Sequence, residues 1–404
     1  MKYIDGGVCA PKGFKAAGVW CGIKKDREKK DLALIVSDSL CSAAGVYTKN
    51  KVKGAPIAVT KKNISDGKAM AIICNSGNAN TCAPGGVEIA EETCRITAEA
   101  LGIDEKDVVI CSTGVIGQEL SIEPFKNGIP EAVDKLSSEG EKAASEAIMT
   151  TDTVPKYTAV EFELDGKICR IGGTAKGSGM INPNMATMLS FITTDVSISP
   201  EMLKKALKED IKKSYNQICI DGDTSTNDTV AVLANGKAQN NEIKQEGQAF
   251  ETFKKALSMV TVNLSKKLAR DGEGATKLIE CNVAGAPDEE TASKISKSVI
   301  SSDLFKAAVF GADANWGRVL CAVGYADGDF SADNIDVEMS SSKGSVLVCE
   351  GSRHKEYSEE KASEILSEEE IIINVDMNQG DACATAWGCD LTYDYVRING
   401  DYRS

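Results

Sequence analysis

With 404 residues, 42% hydrophobic and 26% charged, the chain is long enough for two or three packed units, and no apolar run approaches the roughly 18 residues of a membrane span. A net charge of −14, from 46 basic and 60 acidic side chains without a basic block, argues against a nucleic-acid groove. Fourteen cysteines without a CxxC pair read as small buried thiols in a reducing cytoplasm, not as a metal or disulfide framework.

The opening MKYIDGGVCAPKGF lacks the apolar stretch of a signal peptide, so a cytoplasmic protein is expected. From Gly54 to Cys111, short apolar runs (Ile57 to Thr60, Met70 to Cys74, Val108 to Cys111) alternate with a helical stretch near Val87 to Ala100. That rhythm is α/β. Tyr157 to Leu164 and Lys167 to Ile171 are β-rich runs around Asp165-Gly166, a hairpin signal. Thr187 to Thr194 reads as a buried strand, which puts a hydroxyl where a glycine-rich loop enters a strand.

Three readings compete for that loop, GGTAKGSGMINPNMA. A phosphate cradle fails because Lys176 precedes Gly177 where GxxxxGK[ST] needs the reverse order. A plain glycine-rich connection is the second. The third is a nucleophile at a strand edge. The single histidine, His354, lies in a polar run, so a Ser-His-Asp or Cys-His device is disfavoured. A threonine that begins a chain needs no histidine, because an α-amine with a pKa of roughly 7.7 to 8.0 can act as its base. This requires cleavage between Ala186 and Thr187.

Downstream, Glu201 to Lys213 and Phe250 to Leu268 carry apolar residues at helical spacing. Ala284 to Glu290 reads as a surface connection, followed by strands at Val346 to Cys349, Ile371 to Asp376 and Leu391 to Asn399 and by short helices. The expected division is a catalytic region at 1–283 and a smaller α/β domain at 284–404.

KGSGMINPNMATML, residues 176 to 189, resembles the autocleavage segment of the ornithine acetyltransferase family, the glutamate N-acetyltransferases of arginine biosynthesis. Ala10 to Phe14, Asn75 to Asn80, Thr113 to Gly117, Thr150 to Thr153, Asp271 to Lys277, Gly311 to Arg318 and Ala384 to Asp390 are similar to further family segments, in family order. Together they cover nearly the whole chain.

The resemblance implies an α/β (α+β) fold of layered sheets flanked by helices, of the aminopeptidase/ornithine acetyltransferase type. It implies self-cleavage at Ala186/Thr187 into an α chain (1–186) and a β chain (187–404), assembled as α2β2. Thr187 would be the nucleophile, Thr113 and Gly114 the oxyanion donors, and Thr150, Lys176, Thr187, Glu273, Asn399 and Ser404 the substrate contacts. Ser404 stands where the family usually has threonine. The implied reaction moves acetyl from N2-acetyl-L-ornithine to L-glutamate with no metal or bound organic cofactor; whether acetyl-CoA also serves as co-substrate stays open. Taken alone, Lys176 and Glu273 read as solvated charges, and Thr113-Gly114 as a turn after a strand. A self-processing aminopeptidase or amidohydrolase, with water as acceptor, and a non-catalytic amino-acid-binding protein are the other readings.

Overall fold

The computed structural model describes residues 1–182 and 188–401, so Ala186, Thr187 and Ser404 lie outside the described residues. The strands form two mixed sheets. The first holds β1 (Lys2–Ile4), β2 (Phe14–Val19), β3 (Leu32–Tyr47), β4 (Lys68–Asn78), β5 (Val108–Val115), β6 (Lys156–Leu164), β7 (Lys167–Lys176), β8 (Leu189–Thr194) and, once β9 (Ile218–Cys219) has gone to the other sheet, β10 (Thr229–Ala234). The second adds to β9 the strands β11 (Leu278–Ala286), β12 (Asp336–Ser341), β13 (Gly344–Glu350), β14 (Arg353–His354), β15 (Glu370–Asp376) and β16 (Ala382–Cys389).

The helices α1 (Ala55–Asn63), α2 (Gly86–Leu101), α3 (Glu123–Asp134), α4 (Glu141–Ala147), α5 (Pro200–Asp210) and α6 (Gln248–Arg270) accompany the first sheet. The helices α7 (Glu289–Ser301), α8 (Asp303–Phe310), α9 (Trp316–Gly324), α10 (Glu359–Leu366) and α11 (Tyr393–Asp401) follow β11 in the chain. This is the layered α/β arrangement expected. Among the described residues no helix is long and apolar enough to cross a membrane. All fourteen cysteines are free and most are buried, Cys74, Cys169, Cys219 and Cys349 among them.

The hairpin forms as its sequence requires. Leu164 pairs with Lys167, and Asp165 and Gly166 both take positive φ, 51° and 71°, the backbone of a turn whose twist matches the strands. Helix α6 buries Phe250, Phe253, Leu257, Val260, Leu264 and Leu268 completely, in one core with Trp387 and Cys389 of β16. At about 1.5 to 3 kcal/mol for each side chain, that face contributes burial free energy as large as a domain's net stability. It joins the two sheets.

The order of the first sheet is β1-β6-β7-β8-β10-β3-β4-β5, with β2 on β3. Two strands from beyond residue 187, β8 and β10, therefore sit between β7 and β3, which both precede it.

Three expectations are corrected. The run Ile57 to Thr60 is helical, inside α1, where Pro56 in the first turn and Lys61 and Lys62 in the last suit a helix's ends. Leu391 to Asn399 is not a strand, because β16 ends at Cys389 and α11 begins at Tyr393. The boundary expected between 283 and 284 falls inside β11, where Leu278 to Ala284 pair with β15. The change of sheet comes between Arg270 and Leu278, and β9 joins the second sheet from inside the expected first region.

Candidate active site

Strands β4 and β5 run parallel, with Ser76 opposite Thr113 and Gly77 opposite Gly114, and the register breaks at Gly77/Asn78. Bulges of this kind re-aim side chains at the ends of strands. Gly114 has φ +132°, and a Cβ there would lie 2.3 Å from the Gly77 carbonyl carbon. Only glycine permits that approach, so Thr113-Gly114 is more than an ordinary turn. Both residues line a cavity of about 150 Å3 together with Thr150, Lys176, Glu273 and Asn399. Every expected site residue within the described residues thus meets at one place, although they span residues 113 to 399.

Lys176 ends β7 opposite Leu189 of β8 and is only 8% exposed. Its Nζ lies 3.5 Å from Thr113 Oγ1 and 3.9 Å from Asp152 Oδ2. Both contacts are long, so the ammonium keeps donors for a ligand carboxylate. Behind it is a buried charge lattice. Lys156 Nζ donates to Asp152 Oδ1 at 2.7 Å and to Asp271 Oδ2 at 2.5 Å. The N–H groups of Gly177 and Thr150 donate to the two Asp152 oxygens at 2.7 and 3.0 Å. Burial alone would push the Asp152 carboxyl up, but Lys176, Lys156 and the Gly177 N–H outweigh it and hold that carboxyl well below the usual range.

Glu273 supplies the opposite charge. Its Oε2 accepts from Asn399 Nδ2 at 2.7 Å, and its own N–H donates to Ser178 O at 2.9 Å. The carboxylate lies flat on Gly179, where a Cβ would come within 2.4 Å of it. The cavity lining therefore combines a cation, an acid and the hydroxyls of Thr113 and Thr150.

The flanks of residues 183–187 are held by one segment, 220 to 229. Asp221 accepts from the N–H groups of Met180 at 2.5 Å and Ile181 at 2.9 Å. Met180 has φ 56°, a conformation that costs a non-glycine residue about 1 to 3 kcal/mol. Thr224 Oγ1 donates to Asn182 O at 2.9 Å. On the other flank, the Thr229 N–H donates to Met188 O at 3.0 Å.

The residues sequence reasoning missed are Asp152 and the run Asp221 to Thr229. The sequence signal was nine consecutive residues without an apolar side chain, DGDTSTNDT, set between the apolar runs Ile218 to Ile220 and Val230 to Leu233; the structure buries the last four, Thr226 to Thr229. Among the described residues no group of three or more His, Cys, Asp or Glu is placed to hold a metal ion.

Residues 15–404 match the ArgJ family. The chain belongs to that family. It is 50% identical over 405 residues to the arginine biosynthesis bifunctional protein ArgJ of Caldanaerobacter subterraneus subsp. tengcongensis, covering 100% of both chains. It is 50% identical over 392 residues to ArgJ 1 of Clostridium acetobutylicum, covering 97% of this chain and 96% of that one. Among solved structures, the crystal structure of the arginine biosynthesis bifunctional protein argJ from Bacillus halodurans is 44% identical, with a TM-score of 0.51, and covers 54% of this chain and 100% of its own.

Proposed function

We propose that the chain is a self-processing acetyltransferase of arginine biosynthesis, moving acetyl from N2-acetyl-L-ornithine to L-glutamate through an acetyl-threonine at Thr187. The observation that carries this is the meeting of Thr113, Gly114, Lys176 and Glu273 at one cavity, in a chain whose family relatives are named for arginine biosynthesis.

In the first stage the Thr187 hydroxyl attacks the Ala186 carbonyl, the bond to nitrogen breaks, and water hydrolyses the resulting ester. A free α-amine is left beside the hydroxyl. The Bacillus halodurans chain is matched over its whole length by 54% of this one, and residues 187–404 are 218 of 404, the same share. That agreement supports cleavage at Thr187.

In the second stage the amine takes the hydroxyl proton, and Oγ attacks the acetyl carbonyl. Thr113 Oγ1 and the Gly114 N–H stabilise the oxyanion, and donors of this kind contribute on the order of 10²- to 10³-fold each. The C–N bond breaks, the proton goes to the leaving amine, and ornithine departs. Glutamate then attacks the ester in the same way. Lys176, near Thr150, would receive the α-carboxylate common to both substrates, and Glu273 with Asn399 the ornithine ammonium. Ser404 is proposed as a further substrate contact.

Acetyl-CoA is proposed as a second acetyl donor, with release of free CoA as its assay. Fourteen free thiols suit a reducing cytoplasm, the compartment we propose. The proposed assembly is two α and two β chains.

Incubation with N-acetylornithine, with and without glutamate, tests the reading. Transfer requires glutamate, an amidohydrolase does not, and a binding protein releases no ornithine. Thr187→Ala should give an uncleaved, inactive chain; activity in that variant would overturn the mechanism.

A further inference from the structure

Asn227 lines the cavity and is 7% exposed. Its Nδ2 donates to Ala79 O at 2.5 Å and to Ser112 O at 2.9 Å. Its Oδ1 accepts from the hydroxyls of Thr81 and Thr226, each at 2.6 Å. A carboxamide has two N–H donors and two lone pairs, so these four bonds leave nothing for a substrate. The two carbonyl partners can only accept, which fixes which end of the amide is nitrogen. The amide is also confined by Gly54, where a Cβ would lie 2.5 Å from Nδ2.

What these bonds hold is specific. Ala79 directly follows β4, and Ser112 directly precedes Thr113 in β5, on either side of the bulge. A peptide unit is planar, so holding the Ser112 carbonyl orients the Thr113 N–H, and the ladder that pairs Ser112, Thr113 and Gly114 with Asn75, Ser76 and Gly77 carries that placement on to the Thr113 hydroxyl and the Gly114 N–H. At its other end Asn227 is two residues from Thr229, whose N–H holds Met188. The side chain therefore ties the strand carrying Thr113 and Gly114 to the strand beside β8.

We infer that Asn227 is a positioning residue for acyl transfer, fixing the oxyanion donors relative to the β8–β10 strands. The inference rests on the reading of Thr113 and Gly114 as oxyanion donors in the proposed reaction. Asn227→Asp keeps the two accepted bonds and loses both donated ones, which isolates the tie to Ala79 and Ser112.

The test uses processed full-length protein and the N-acetylornithine-to-glutamate assay. In Asn227→Asp, kcat should fall roughly 30- to 100-fold, the scale of a misplacement of about 1 Å, with KM for N-acetylornithine changed less than about 2-fold. Adding Thr113→Ala to that variant should cost less than about 3-fold more, because residues acting through one another are not additive. Independent, multiplicative losses would overturn the inference, as would an unchanged kcat or a loss confined to KM. Should Asn227→Asp fail to fold, Thr81→Val, which removes one accepted bond, carries the test. A several-fold loss in its kcat at constant KM supports the positioning role, and no loss overturns it. A wild-type protein that fails to transfer acetyl would overturn the enzymatic reading and this inference together, whereas normal transfer with a sensitive Thr113→Ala and an insensitive Asn227→Asp would overturn only the inference.

Discussion

Asn399 and Glu273, 126 residues apart, meet through a 2.7 Å hydrogen bond from Nδ2 to Oε2 at the rim of the cavity. The bond fixes an acid that otherwise rests on the bare Cα of Gly179, and it makes α11 part of the site although that helix shows Tyr393 at 84% and Val396 at 70% exposure.

Asn399→Ala should therefore leave the fold intact and lower kcat/KM for N-acetylornithine about 10- to 150-fold, since a hydrogen bond to a charged group contributes about 1.5 to 3 kcal/mol. Gly179→Ala should harm the same step by displacing the Glu273 carboxylate. Steady-state kinetics beside thermal melts separate the two effects, and a large drop in melting temperature for Asn399→Ala would refute the claim that α11 serves the site more than the fold.

The two lysines of the charge lattice should behave differently. Lys176→Ala leaves Asp152 still paired with Lys156, so the expected loss lies in kcat/KM, for glutamate and for N-acetylornithine alike, about 10- to 150-fold for 1.5 to 3 kcal/mol. Lys156→Ala leaves two buried carboxylates, Asp152 and Asp271, without their shared cation, and should destabilise by about 3 to 5 kcal/mol. Denaturant unfolding of both variants checks this.

Cleavage before Thr187 would give fragments of roughly 20 and roughly 23 kDa from the 42.8 kDa chain, and they should stay together in native buffer. The reason is the sheet order, in which β8 and β10 of the second fragment pair with β7 on one side and β3 on the other, both from the first. Separating them exposes two strand edges and one core. Denaturing electrophoresis beside native light scattering measures this; an active preparation with only the 42.8 kDa species would exclude the Thr187 amine as base.

Stability should depend on pH through Asp210, at the end of α5. Burial pushes its carboxyl from 3.8 up to about 6, against hydrogen bonds from Thr261, Ser214 and Ser258. The folded state therefore holds the proton more tightly than the unfolded chain, and stability is lost as pH rises from about 4 through about 6, by up to about 3 kcal/mol. Asp210→Asn should melt higher than the parent at pH 8 and close to it at pH 4. Parallel melting curves across that range would contradict the assignment.

The sequence by itself determined whatever local chemistry or period can specify. Asp165-Gly166 dictated the turn between β6 and β7 because both positions need positive φ, and the spacing from Phe250 to Leu268 dictated α6. Family motifs named Thr113, Gly114, Thr150, Lys176, Glu273 and Asn399 before any geometry was known. Only the tertiary structure decided what depends on partners far along the chain. Ile57 to Thr60 is too short for its period to separate helix from strand. The alternation Leu391, Tyr393, Tyr395 imitates a strand, yet no sheet edge takes it up and α11 forms instead. Asp152, Asp221 and Asn227 read as polar loop residues until the fold brings Asp152 to Asp271's lysine, Asp221 to Met180 and Asn227 to Ser112. Their meaning lies in hydrogen bonds between segments more than 40 residues apart in several cases, the one from Asn227 to Ser112 buried, and neither composition nor periodicity encodes those pairings.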